Sequence, residues 1–189
     1  MAVTPSLRIG WLVLLCLLSW PAAAQPFDPA HTGFGFELRT RWGQRVVGTF
    51  PSYQGEVIRL PDGRRQVRIQ WSTAAVVVAG SARYTAMARG EGFFDANKYP
   101  LIEFVSEPLT DAVLHGGGRL RGRLSMHGVA RNETFALKPS QCARPGLDCD
   151  VVATGSVRRE DYGLDGWQLA LRNKVRFDLR VRLLDVQPP

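Results

Sequence analysis

The chain has 189 residues, 45% hydrophobic and 10% aromatic, with 24 Lys and Arg against 17 Asp and Glu for a net charge of +7. That apolar content excludes a disordered polypeptide and is enough for one domain with a real core. The excess base is mostly single Arg residues alternating with apolar ones, as in Lys174-Val175-Arg176-Phe177. This is the pattern of a solvated sheet face rather than of a nucleic-acid-binding stripe, and attraction to an anionic lipid surface stays open beside it.

The first 24 residues read as an export signal. Arg8 gives a positive start, Gly10 to Trp20 form a short apolar core, and Pro21 breaks it before Ala22-Ala23-Ala24, so cleavage is expected after Ala24. The run is too short to span a bilayer, and no later segment approaches ~18 continuous apolar residues. Cys16, preceded by Val13-Leu14-Leu15, stands in a poor lipoprotein context and is read as lost with the leader. Residues 25–189 then form one domain, opening on a leading segment over 25–32.

Alternation predicts strands over Gly33 to Thr40, Val46 to Phe50, Tyr53 to Leu60 and Gln66 to Ser72, with turns at Pro51-Ser52 and Pro61-Asp62-Gly63. The pattern breaks over residues 74–90, where an Ala-rich stretch permits a short helix or an ordered loop near 76–90. Pro100 biases Tyr99 toward extended backbone, so the turn at Lys98-Tyr99-Pro100 passes into a strand from Leu101 to Ser106. Leu109 to Leu114 and Arg119 to His127 are expected to form a hairpin across Gly116-Gly117-Gly118, followed by strands at Val129 to Lys138 and Val151 to Arg159. The last strand, Asn173 to Leu184, puts Val175, Phe177, Leu179, Val181 and Leu183 on one face and charges on the other. About eight to ten short strands argue for an all-β sandwich or barrel, and periodicity does not decide whether its interior is solid or hollow.

Cys142 and Cys149 bracket a Pro-Gly turn, and an even pair in an exported chain reads as a structural disulfide. Closing so short a loop is worth roughly 2–3 kcal/mol in the chain-entropy model. Catalytic signatures are missing from the sequence: it contains no G-x-S-x-G, H-E-x-x-H, P-loop or G-x-G-x-x-G. His31, His115 and His127 stand apart from one another, without ligand spacing. His31 follows Asp28-Pro29 and is read first as a turn-capping residue, with a headgroup contact as the alternative. His127, before Gly128, is read as a hairpin residue.

One run carries more information than the rest, Gly92-Phe93-Phe94-Asp95 through Lys98-Tyr99-Pro100 to Ile102 and Phe104. It resembles the FFD-x-x-K-Y-P-x-I-x-F signature of the YceI-like family. Asp28-Pro29-Ala30-His31-Thr32 resembles that family's opening DPAHS, Gly48-Thr49-Phe50 with Gly55 its G-x-F...G spacing, and Gly122 to Val129 its G-x-L-x-x-HGVT hairpin. Arg159-Glu160-Asp161-Tyr162-Gly163 is similar to its R-x-DFG segment. The order and spacing of these pieces are specific, although Tyr84 stands after Arg83 where the family has an acid.

The resemblance implies an antiparallel lipocalin-like barrel of about eight strands in a bacterial envelope protein, exported to the periplasm. It further implies a long apolar tunnel for a polyprenyl or quinone-like lipid and no required cofactor. The residues expected to meet such a ligand are His31, Phe34, Phe36, Trp71, Arg83, Met87, Phe93, Phe94, Ile102, Phe104, Leu124, Met126 and Phe177, with Arg89 as a further candidate at the mouth. Binding without catalysis is the expectation. The alternative is a structural or stress-response envelope protein with a solid core, and an enzyme acting on an isoprenoid headgroup is the remaining one. No nucleic-acid partner is expected; peripheral contact with an anionic membrane and pairing of two copies stay open.

Overall fold

In a computed structural model, which describes residues 24–185, alternating apolar positions turn inward along eleven antiparallel strands. These are β1 (Ala24–Pro26), β2 (Gly33–Thr40), β3 (Arg45–Thr49), β4 (Tyr53–Arg59), β5 (Arg65–Ser72) and β6 (Val77–Val78), then β7 (Leu101–Ser106), β8 (Gly118–Met126), β9 (Val129–Leu137), β10 (Val151–Arg158) and β11 (Leu171–Val181). Two short helices, α1 (Ala82–Arg89) and α2 (Asp111–Gly116), and a 3-10 turn (Arg159–Tyr162) complete the elements. The expected leader, with Cys16, lies outside the described residues except for Ala24, which opens β1.

The strands form one curled sheet in the order β1-β4-β5-β7-β8-β9-β10-β11-β2-β3-β6. The segment after β1 joins its two sides: Phe27 N–H donates to Gly55 O in β4, while Asp28 N–H donates to Arg182 O and Leu184 N–H to Pro26 O beyond β11. Residues 24–28 thus act as a seam strand, which relieves the exposed edges an open sheet would present.

Four interior rings lie over glycines of a neighbouring strand. A Cβ placed at Gly48 would overlap Phe36, one at Gly55 would overlap Phe27, and those at Gly122 and Gly155 would overlap Phe104 and Phe135. Phe36 and Gly48 are register partners on β2 and β3. The missing side chain is what lets a large ring lie flat against the wall.

Several expectations are corrected. Eleven strands form rather than about eight, because β1 and β6 are too short to carry an alternation. The segment at 109–114 does not pair with the strand after it. Leu109 makes a single bridge to Arg65, and α2 then starts behind Thr110, with Asp111 in its first turn and Gly117 at φ 75° ending it. The true hairpin joins β8 to β9 through His127 and Gly128, at φ 53° and 77°. Positive φ at both central residues is what a tight two-residue hairpin loop requires. The irregular stretch near 76–90 does hold a helix, α1, capped by Ser81, whose hydroxyl accepts from Tyr84 N–H.

The Cys142–Cys149 disulfide is formed, and its loop folds back onto the end of the barrel through Leu183 N–H donating to Gly146 O at 2.7 Å. The glycine seats predict a coupling. Gly48→Ala should cost about 1–3 kcal/mol through overpacking, and most of that cost should vanish in a Phe36→Leu background. Urea midpoints of the four proteins in a double-mutant cycle check this; equal costs in both backgrounds would refute the seat.

Candidate functional site

The barrel interior is apolar from end to end but is not one open channel. Phe34 stacks edge-on against Trp71 at 5.3 Å between ring centroids, Trp71 meets Phe50 at 6.2 Å, and Phe50 meets Phe94 and Phe36 at 5.7 and 5.4 Å. These rings fill the middle. Space remains at the two ends, so the long tunnel implied by the resemblance is replaced by two short apolar cavities with an aromatic stack between them.

The lower cavity, about 60 Å³, is lined by residues that include Ile69, Leu109, Leu114, Leu137 and Leu183. Pro145 and Gly146 of the disulfide loop form part of its wall. The upper crevice, about 140 Å³, has β2 and β3 on one side through Phe36, Leu38 and Val46. Helix α1 supplies Tyr84, Met87 and Ala88; Phe93, Trp42, Trp167 and Leu171 add to the wall, and Thr40 and Gln44 are its polar members. Roughly 150 Å³ is the size of cavity that holds one benzene-sized molecule, so the upper crevice matches about one isoprene unit.

A buried cation organises this end. Arg159 is 2% exposed, and its Nη1 donates to the carbonyls of Leu164 and Gly166, both at 2.9 Å, while Nε donates to Arg172 O. Its guanidinium stands 5.5 Å from the Phe93 ring centroid. Burial pushes its pKa below the usual arginine value, with the charge of Asp165 opposing that shift. Arg159 therefore ties the loop over 163–170, which carries Trp167, and the start of β11 to the ring that floors the crevice. The sequence signal for it was the R-x-D-Y-G run, which placed the residue without revealing its burial.

Of the expected ligand residues, Phe36, Met87 and Phe93 converge on the upper crevice. Phe94 packs directly behind Phe93, at 4.7 Å between centroids. Phe34, Trp71, Ile102, Phe104, Leu124, Met126 and Phe177 are buried in the core and border neither cavity. Trp71 Nε1 is buried without a hydrogen-bond partner among the described residues. Arg83 is exposed on α1 and does not line the crevice, and Arg89 donates to Val76 O. Sequence reasoning missed Trp42, Tyr84 and Trp167, which sit in turns or on a short helix where no periodicity marks them.

His31 is far from this crevice. It lies on a broad, open groove of about 1320 Å³ along the seam, whose walls carry Phe27, Phe34 and Tyr53 as well as Lys138, Asp150 and Arg180. Its Nδ1 is 2.6 Å from Asp28 Oδ2, and Asp28 Oδ1 accepts from Ala30 N–H. The turn-capping reading accounts for these contacts. His127 likewise serves its hairpin, with Nδ1 at 3.1 Å from Tyr162 O and its ring against Tyr99.

Fold and site together define an antiparallel β-barrel with an apolar interior opened at one end by a crevice between a short helix and two loops. The YceI-like domain model matches residues 26–183, and the chain belongs to that family. No curated protein matches it in sequence. Among solved structures, BcnA from Burkholderia cenocepacia is similar with a TM-score of 0.68 at 16% identity, over 82% of this chain and 98% of that one. A polyisoprenoid-binding domain from Saccharophagus degradans, implicated in plant cell wall breakdown, has a TM-score of 0.63 at 13% identity, over 85% and 97%. The YCEI protein of Campylobacter jejuni gives 0.57 at 15%, over 74% and 85%. At these identities the likeness is one of fold.

The seam turn has a pH consequence. The hydrogen bond with His31, and then that from Ala30 N–H, hold the Asp28 carboxyl below the usual carboxylate range. A depressed folded pKa stabilises above the unfolded value, near 3.9, and that contribution is lost as pH falls through the folded pKa. Asp28→Asn should therefore flatten the acid limb of stability against pH below about 4. An unchanged acid limb in the variant would show that the turn does not contribute to it.

Proposed function

We propose that this protein binds the apolar chain of an isoprenoid lipid, a polyprenyl or quinone-like molecule, and carries it outside the cytoplasm without turnover. The observation that carries the reading is the upper crevice, an apolar slot open to solvent whose floor and sides are Phe36, Phe93, Met87 and Ala88. The shared fold with a polyisoprenoid-binding domain supports it, and the export signal read in residues 1–24 supports a periplasmic address.

The chemistry needs no catalytic group. Each CH₂ withdrawn from water is worth ~0.8 kcal/mol, so a branched apolar chain binds through area alone. The crevice takes the first unit of such a chain. A longer chain enters by displacing Phe94 and Phe36, which stand between the crevice and the deeper stack. The polar end of the ligand stays at the rim.

A second reading, a structural envelope protein with a solid core, is favoured by that same aromatic stack. The two part on ligand response. Geraniol titrated into the protein should shift tryptophan fluorescence saturably and raise Tm, since a ligand bound only to the folded state stabilises it. Ala88→Phe, which fills the crevice, should weaken that binding by roughly tenfold or more while the circular dichroism stays unchanged. A protein that neither binds geraniol nor gains Tm would favour the solid-core reading and overturn the proposal.

A further inference from the structure

The three most exposed large apolar side chains among the described residues, Leu169, Trp42 and Trp167, gather at the crevice end, while Leu101, Val105 and Leu184 are exposed elsewhere on the barrel. Leu169 is 89% exposed, Trp42 79%, Trp167 48% and Tyr84 40%. Trp42, Tyr84 and Trp167 line the crevice, and Leu169 sits between two of its wall-bearing neighbours in the loop. The loop carrying Trp42 is fastened to the loop carrying Leu169: Arg41 N–H donates to Ala170 O at 2.8 Å, and Arg41 Nε to Gln168 O at 2.9 Å. The aromatic rim is therefore a built surface rather than two independent loop tips.

Trp167 adds a second, independent observation. Its φ of 63° is a left-handed backbone that a bulky residue rarely adopts and glycine adopts freely. Holding a half-exposed indole there works against the backbone, and such strain is characteristic of places where the side chain is needed for something else.

The charge around the rim has one prevailing sign. Arg41, Arg83 and Arg89 lie on the turn and helix that frame it and Arg45 and Arg172 on the first residues of β3 and β11, against Glu91, Asp165 and Glu37, the last of which pairs with Arg45. Trp and Tyr interleaved with Arg around an apolar opening is the composition that settles at a bilayer's headgroup level, where rings bury their bodies and guanidinium groups meet lipid phosphates.

We infer that the rim formed by Trp42, Tyr84, Trp167 and Leu169 docks the barrel, crevice first, onto an anionic phospholipid membrane. In that pose a lipid chain passes from the bilayer into the crevice without crossing water. The docking itself stands on the rim's composition; its use for loading rests on the lipid reading above.

Flotation with phosphatidylcholine vesicles, with and without phosphatidylglycerol, tests the inference. The protein should float with the anionic vesicles and much less with the neutral ones. Leu169→Asp combined with Arg172→Glu, neither lining the crevice, should weaken partitioning by roughly tenfold or more and leave geraniol binding in water unchanged. Trp167→Gly should lose vesicle binding while Tm holds or rises, a split that a purely structural Trp167 would not give. Absence of flotation, or flotation untouched by these variants, would overturn the inference. So would a dimer in sedimentation that the same variants dissolve, because the rim would then serve a second copy. Flotation without geraniol binding would leave the docking standing and sink the lipid reading alone.

Discussion

The constraint on which the rest of this structure depends is the seating of large aromatic rings on glycines of the adjacent strand. Phe27, Phe36, Phe104 and Phe135 each occupy the space that a Cβ at Gly55, Gly48, Gly122 or Gly155 would take. A barrel of this girth lined with ordinary side chains on every strand would be overfilled. Removing four of them lets the rings lie against the wall and meet one another across the middle. Packing at interior density then leaves space only where strands end and rings run out.

That arrangement makes the interior asymmetric. At the lower end the disulfide loop folds over the strands, and its Pro145 and Gly146 become part of the wall. At the upper end the covering pieces are a two-turn helix and two loops, held by the buried guanidinium of Arg159 through carbonyls and the face of Phe93. The disulfide closes the lower loop on itself, whereas the upper pieces are held by hydrogen bonds from Arg159, Arg41 and Arg89 to loop carbonyls.

Much of the fold was legible because inward and outward positions alternate with charge. In β11, Val175, Phe177 and Leu179 are buried between exposed Arg and Lys residues, as read from sequence. The pieces that escaped were those too short to show a period. The three residues of β1 matter through backbone hydrogen bonds alone, and α2 puts only Leu114 in the core. The glycine run at 116–118 proved to be a helix end rather than a hairpin, because Gly117 has the positive φ that terminates α2.

The site was legible in a different measure. Phe36, Met87 and Phe93 were found because a motif or an apolar stretch marked them. Ile102, Phe104, Leu124, Met126 and Phe177 were marked on the same grounds and lie buried in the core beside neither cavity, since periodicity reports which way a residue faces but not whether space lies beyond it. Trp42 and Trp167 are 125 residues apart in sequence and come to line one crevice because β2 and β11 pair at Thr40 and Leu171. The most direct measurement is native mass spectrometry of the protein purified from its own host, coupled to lipid extraction. A stoichiometric adduct whose released component is an isoprenoid lipid is the predicted result; protein that is reproducibly free of lipid, or that carries only phospholipid, would contradict it.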